Sequence, residues 1–299
     1  MSSPEITLER PAAPAGTGPG TAPRRPALVI KARPGWRPLN LPELWRYREL
    51  LWFLALRDVK VRYKQTALGA AWAVLQPLFT MLVFSVFFGY LGGMGERIHG
   101  NIPYPVYTLC ALLPWQLFSY ALTQSAASVV SGRALLTKVY FPRLLIPMAP
   151  LLCGLLDFAI SFGLLAVLMP FFGVVPGWAA LTLPFWVLLA LMTSLAVGLW
   201  LSALNAVYRD VQYTLPFLTQ LWLFLTPVAY PSSIVPERWR PLYGLNPMAG
   251  VVDGFRWALL RGDPPDAAML LVSVLSVTAL LVGGLFWFRR MERTFADLV

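Results

Sequence analysis

Charge is what this 299-residue chain lacks: only 13% of its residues are Asp, Glu, Lys or Arg, against about 25% in an ordinary soluble domain. A fold of this size in water could not cover its surface with so few ionic groups. The remainder is 58% hydrophobic and 14% aromatic, with a mean hydropathy of +0.63. This composition excludes a soluble enzyme and a disordered protein, and it indicates a polytopic membrane protein. Cysteine is scarce too. Cys110 and Cys153 both sit in apolar stretches, which excludes a disulfide scaffold. One histidine, His99, and two distant cysteines cannot assemble a metal cluster. No Gly-x-x-x-x-Gly-Lys-Ser/Thr loop is present to cradle nucleotide phosphates. Nor does an interfacial loop carry the acidic or histidine cluster of a membrane transferase. Asp263 and Asp266 flank Pro264-Pro265 and read as a turn. Elimination leaves a pore-forming or binding subunit rather than a catalyst.

Long apolar runs are what the chain has instead. Six approach the length of about 20 residues needed to cross hydrocarbon. They fall at about 70–91, 106–130, 144–169, 181–204, 213–230 and 267–288. The net charge of +10 and pI near 9.9 indicate loops retained on the cytoplasmic side rather than a nucleic-acid partner. With the N-terminus inside, 19 of the 24 Lys and Arg residues fall on cytoplasmic segments. Five remain outside: Arg97, Arg238, Arg240, Arg256 and Arg261. Both termini are therefore expected in the cytoplasm.

Two segments precede the first run. Residues 1–40 are rich in Pro, Gly, Ala and Arg and carry no apolar stretch, so they read as a disordered cytoplasmic tail rather than a signal peptide. Residues 41–65 read LPELWRYRELLWFLALRDVKVRYKQ. Arg46, Glu49, Arg57, Lys60 and Lys64 recur at helical spacing, opposite Leu44, Tyr47, Leu51, Leu54 and Val61. That pattern describes an amphipathic helix lying in the membrane interface, with an expected local ion pair between Asp58 and Arg62.

Between the fifth and sixth runs, Asn246 to Leu260 is apolar but too short to span. It either lines the outer mouth of a pathway or caps the bundle as a surface helix. Asp157 is the one clear acid inside a run, and no Lys or Arg lies within another run to meet it. A polar contact within the bundle fits it better than a proton relay. Trp72, Phe79, Trp115 and Tyr120 belong to an aromatic set in the first two runs. Such rings stack on sugars, and they equally serve lipid-facing packing.

Ordered motifs add a resemblance. Arg57-Asp58-Val59-Lys60-Val61-Arg62-Tyr63 is followed by Leu68-Gly69-Ala70-Ala71-Trp72 and Gln76-Pro77. Tyr104-Pro105, Pro114-Trp115 and Leu135 through Arg143 (LLTKVYFPR) come next. Tyr208-Arg209-Asp210, Thr226-Pro227-Val228, Asn246-Pro247 and Phe255-Arg256 complete the series. From about Leu41 onward the chain resembles the ABC-2 type permeases that export polysaccharides.

The resemblance implies an all-α integral membrane domain over 41–299. It would have six transmembrane helices preceded by the amphipathic helix, and short external gate helices before the last span. It also implies a homodimer in the bacterial cytoplasmic membrane, surrounded by membrane lipids and paired with two copies of a nucleotide-binding ATPase subunit. Its cargo would be an undecaprenyl-linked glycan such as O-antigen, capsule or teichoic acid. This chain would bind no cofactor itself, with ATP and Mg held on the partner ATPase.

Carried over by motif, the ATPase contacts fall on Arg57, Asp58, Lys60 and Arg62, and on Leu136, Lys138, Tyr140, Phe141, Pro142 and Arg143. Within the second group, Phe141-Pro142 is a stiff apolar knob, while Lys138 and Arg143 are cations for acidic partners. The channel is expected between the first and fifth spans of two copies, with Trp72, Phe79, Trp115 and Tyr120 as lining candidates. The external gate would be Asn246, Pro247, Phe255 and Arg256. Two other classes remain open: a drug or small-lipid exporter of the same architecture, and an integral-membrane glycosyl or lipid transferase.

Overall fold

The computed structural model describes residues 5–7, 29–31, 41–64, 69–98, 102–138 and 141–292. Two three-residue strands, β1 (Glu5–Thr7) and β2 (Val29–Lys31), pair antiparallel with Ile6 opposite Ile30. This ladder lies within the segment expected to be disordered, and it is the one departure from helix among the described residues. All other regular structure is helical.

The expected interfacial helix is divided into α1 (Leu41–Arg46) and α2 (Arg48–Lys64) by a single turn at Tyr47. Its burial also differs from the expected stripe. Leu51, Leu54, Ala55, Asp58 and Arg62 recur every three or four residues and face the bundle, while Val61 is 72% exposed. Trp45, Trp52, Phe53 and Leu56 form a second, uncovered apolar face. The helix carries two apolar faces rather than one because its buried stripe docks along another helix.

Each of the six apolar runs coincides with a helix. They are α3 (Trp72–Phe84, prolonged through Leu91), α4 (Tyr104–Ser131), α6 (Leu145–Phe171), α7 (Leu183–Val207), α8 (Asp210–Leu225) and α11 (Ala267–Met291). Among the described residues, four stretches are long and apolar enough to cross a membrane: Trp72–Leu91, Leu145–Phe171, Trp178–Val207 and Ala267–Met291. The last turns of α3 widen to a π-helix, ending where Gly92 N–H bonds back five residues to Phe87 O at 2.9 Å. The described residues also form the shorter α-helices α5 (Arg133–Lys138), α9 (Arg240–Tyr243) and α10 (Pro247–Leu260).

The 28-residue α4 is the centre of the molecule, and α3, α6, α7 and α10 all pack on it. Its buried face mixes leucines with Thr108, Ser125 and Ser128, which explains why its hydropathy falls below that of the outer helices. Small residues let α7 approach closely. A Cβ added at Gly198 would stand 2.6 Å from Ser125 Oγ and 2.9 Å from its Cβ. Helix association in lipid depends on this kind of packing, since apolar burial alone gains nothing there.

That contact generates a prediction. Gly198→Ala forces α7 off α4 and is expected to destabilise the fold by about 1–3 kcal/mol. Adding Ser125→Gly vacates the space and should restore most of the loss. Thermal unfolding midpoints of purified protein in one detergent check both. A Gly198→Ala midpoint equal to wild type would mean the packing yields without strain.

Candidate functional site

Two arginines leave the polar surface and enter the bundle, one toward each end. The first is Arg62, in the last turn of α2. From Leu54, which packs with Phe141, Leu145, Ile146 and Ala149, α2 runs parallel to α6 until Arg62 reaches Asp157. The two side chains meet at 2.8 Å (Arg62 Nη2 to Asp157 Oδ2). Tyr63 donates its hydroxyl to the other carboxylate oxygen. The Arg62 guanidinium lies over the Tyr120 ring, 4.3 Å from its centroid. One turn further along α6, Ser161 Oγ donates to Ala73 O of α3 at 2.7 Å. Asp157, the acid enclosed in an apolar run, thus has its cation in Arg62. It comes from α2, before the first apolar run, where hydropathy gives no sign of it. Asp58 instead pairs with its neighbour Arg57 at 2.8 Å, which replaces the expected Asp58–Arg62 pair.

The second is Arg256 of α10, only 6% exposed. After α8 the chain leaves helical geometry at Thr226-Pro227, and residues 226–229 are buried. Three successive carbonyls in this irregular stretch would lack partners. Arg256 Nη2 donates to Val228 O at 2.8 Å and Nη1 to Tyr230 O at 3.2 Å. Between them, Tyr104 donates its hydroxyl to Ala229 O at 2.8 Å. The guanidinium rests 3.7 Å from the centroid of Tyr107, and Asp253 stands 3.8 Å away on the same helix. Irregular backbone inside a membrane bundle requires such donors.

Asn246 begins α10 as its N-cap, accepting from Met248 N at 3.2 Å. The same amide accepts from Trp222 Nε1 at 2.8 Å and donates to Thr226 Oγ1 at 3.0 Å. It therefore fastens α8 to α10. Tyr243 of α9 donates to Leu225 O at 2.8 Å and lies 3.0 Å from the Tyr230 hydroxyl. Burial first, and then that hydroxyl contact, push the Tyr243 phenol well above its usual value and keep it neutral. Pro247 and Phe255 are buried, with the Phe255 ring edge-on to Phe158 of α6. The four residues expected at the external gate converge on one short helix, and Tyr104, Tyr107 and Asp253 join them. Only the aromatic content of 104–107 hinted at that support.

The expected ATPase-coupling residues are spread more widely. Arg57 and Lys60 are exposed on α2. Leu136 and Lys138 belong to α5, and Tyr140 falls outside the described residues. The Phe141 ring is 5% exposed and packs inward against Leu54 and Leu145. An aromatic ring beside an apolar helix start gains more by burial in its own bundle than by standing out in solvent. Pro142 is half-buried beside it. Arg143 turns inward to the end of α11, where Nη1 donates to Glu292 O and Nε lies 3.9 Å from Glu292 Oε1. Of the four channel candidates, Trp72 and Phe79 are exposed on α3. Trp115 is 5% exposed inside the core against Phe118, and Tyr120 lies beneath Arg62.

Residues 49–260 match the family described as ABC-2 type transporter. The chain belongs to that family. Its place there makes it a membrane subunit of a transporter rather than a catalyst. Among ABC-2 relatives, an O-antigen export system permease protein RfbA from Myxococcus xanthus is 35% identical over 255 residues, covering 84% of this chain and 96% of the relative. A protein of the same name from Klebsiella pneumoniae is 26% identical, covering 84% and 95%. The polysialic acid transport protein KpsM of Escherichia coli is 24% identical, covering 80% and 92%. The ABC-2 match begins within α2 and ends with α10, so it contains both arginine clusters.

Asp157→Ala leaves the Arg62 cation stranded and is expected to cost about 3 kcal/mol. The figure sits low in the usual range because Arg62 retains 35% side-chain exposure. Arg62→Met combined with Asp157→Leu removes both charges and should recover most of that loss. Unfolding midpoints in detergent provide the comparison, and equal losses in the single and double variants would contradict the ion-pair account.

Proposed function

We propose that this chain is the permease subunit of an ATP-binding-cassette exporter that moves lipid-linked polysaccharide across the bacterial cytoplasmic membrane. The observation that carries the reading is the near full-length likeness to an O-antigen export permease, over 96% of that protein's length. The ATPase belongs to a separate subunit, present in two copies, which holds ATP and Mg. The cargo is a glycan on an undecaprenyl carrier.

Six crossings are proposed, with both termini in the cytoplasm. Helix length and apolar composition together support four of them. For the other two, α4 is about 42 Å long and α8 about 24 Å at 1.5 Å per residue, and the buried segment 226–229 extends α8. The arginine and lysine distribution supports the orientation.

Two copies are proposed to form the channel. Its support is a stripe on each of two outer helices that the rest of the chain leaves bare. On α3 these are Trp72, Phe79, Val83, Val86 and Tyr90, and on α8 Tyr213, Phe217, Leu221 and Phe224. Aromatic rings at helical spacing give a passing sugar apolar faces and polar edges together. The α9–α10 unit is the proposed external gate, held shut by Arg256, Tyr104 and Asn246. The exposed aromatic face of α2 supports a position against lipid headgroups, with its basic residues at the membrane surface.

Deletion of the gene in its own host should remove surface polysaccharide and leave lipid-linked glycan on the cytoplasmic face. The purified complex should also contain an ATPase chain. Glycan accumulation is measured by extraction and mass spectrometry of the lipid-linked pool. Normal surface glycan with altered sensitivity to small hydrophobic compounds would overturn the polysaccharide assignment in favour of a drug exporter.

A further inference from the structure

The last helix is held at both ends by contacts that serve different parts of the molecule. At one end, Arg143 follows the α5 segment and donates to the carbonyl of Glu292, with the Glu292 carboxylate nearby. Arg143 is 17% and Glu292 27% exposed. Beneath them Leu144 and Leu151 of α6 share one apolar cluster with Phe288 of α11, and Trp287 and Met291 pack against it. At the other end, α11 is fitted directly to the α9–α10 unit. Ser273 Oγ donates to Gly244 O at 3.0 Å. A Cβ at Gly244 would meet Met269 O at 2.5 Å, and one at Gly250 would meet Ser273 Oγ at 3.1 Å. These distances put Gly244 and Gly250 in close contact with α11.

Between the two ends α11 is unbroken, and it contains no proline. From Met269 to Glu292 it spans about 35 Å. Midway, Trp200 Nε1 of α7 bonds Leu280 O at 2.9 Å, and Gly284 lies against Ala196 O. A continuous helix is stiff along its axis, so displacement at one end reaches the other.

We infer that α11 is the strut by which the turn at residues 141–143 acts on α9 and α10, with Arg143 and Glu292 as the positioning residues that join the strut to that turn. The inference rests on the transporter reading. It gives Arg143 a role inside the chain, distinct from contact with an ATPase.

The test uses the full complex with its ATPase, reconstituted in vesicles. Leu245, exposed between α9 and α10, is replaced by Cys and labelled with a membrane-impermeant maleimide. In the wild-type background, ATP should change the labelling rate, and glycan should be transported. Failure of both in that background would overturn the transporter reading itself. Glu292→Lys places two cations together. It should leave ATP hydrolysis within about twofold, cut transport at least tenfold and abolish the ATP-dependent labelling change. Arg143→Glu with Glu292→Lys restores the pair in reverse and should recover at least half of the transport. Transport unaffected by Glu292→Lys would overturn the strut, as would an ATP-dependent labelling change that persists in it. A swapped pair that folds to the wild-type midpoint, binds the ATPase and yet transports nothing would also overturn it.

Discussion

A carbonyl buried among apolar helices has no water to bond, and the stretch after α8 presents three of them in succession, at Val228, Ala229 and Tyr230. Everything outside that point depends on how they are satisfied. Arg256 reaches two and Tyr104 the third. In doing so they hold the start of α4 and the middle of α10 against the same irregular turn. An arginine suits the task because its planar fork serves two acceptors at once, and its face can rest on Tyr107 while it does so. The cost of taking a cation out of water is offset by those bonds and by Asp253. The short helix α10 is therefore part of the bundle rather than a lid laid over it.

Arg62 solves a related problem at the other end. There the arginine ties the end of α2 to the middle of α6. Because α2 also packs along α6 through Leu54, a push on α2 is a push on α6. The two arginines thus join α2 to α6 and α10 to the turn after α8.

How much of this was readable beforehand differs by type of feature. The apolar runs announced α3, α4, α6, α7, α8 and α11, because burial in lipid or protein demands apolar side chains wherever a helix crosses. The Asn246-Pro247 start of α10 was visible too, since capping chemistry is local. The partner of Asp157 was not. It lies 95 positions earlier, outside any run, and hydropathy carries no signal for one cation turned inward from a basic helix. The inward side of Phe141 was hidden for a similar reason. A loop has no periodicity to reveal which side chain faces in, and only its closeness to Leu54 and Leu145 in space decides the matter. Arg143 looked like a surface cation until the end of the chain returned beside it.

The bare stripes of α3 and α8 have a thermodynamic consequence. In water, faces with Phe79, Phe87, Phe217 and Phe224 uncovered would force association. In lipid, hydrocarbon chains cover them at almost no cost, so apolar area supplies no drive for two copies to meet. For the two copies proposed to form the channel, pairing would come from fit and from polar contacts, and it would follow mass action in two dimensions. The number of pairs would scale with the square of the copies per unit of bilayer while pairing is weak. Expression level would then set how much of the proposed assembled form a cell contains.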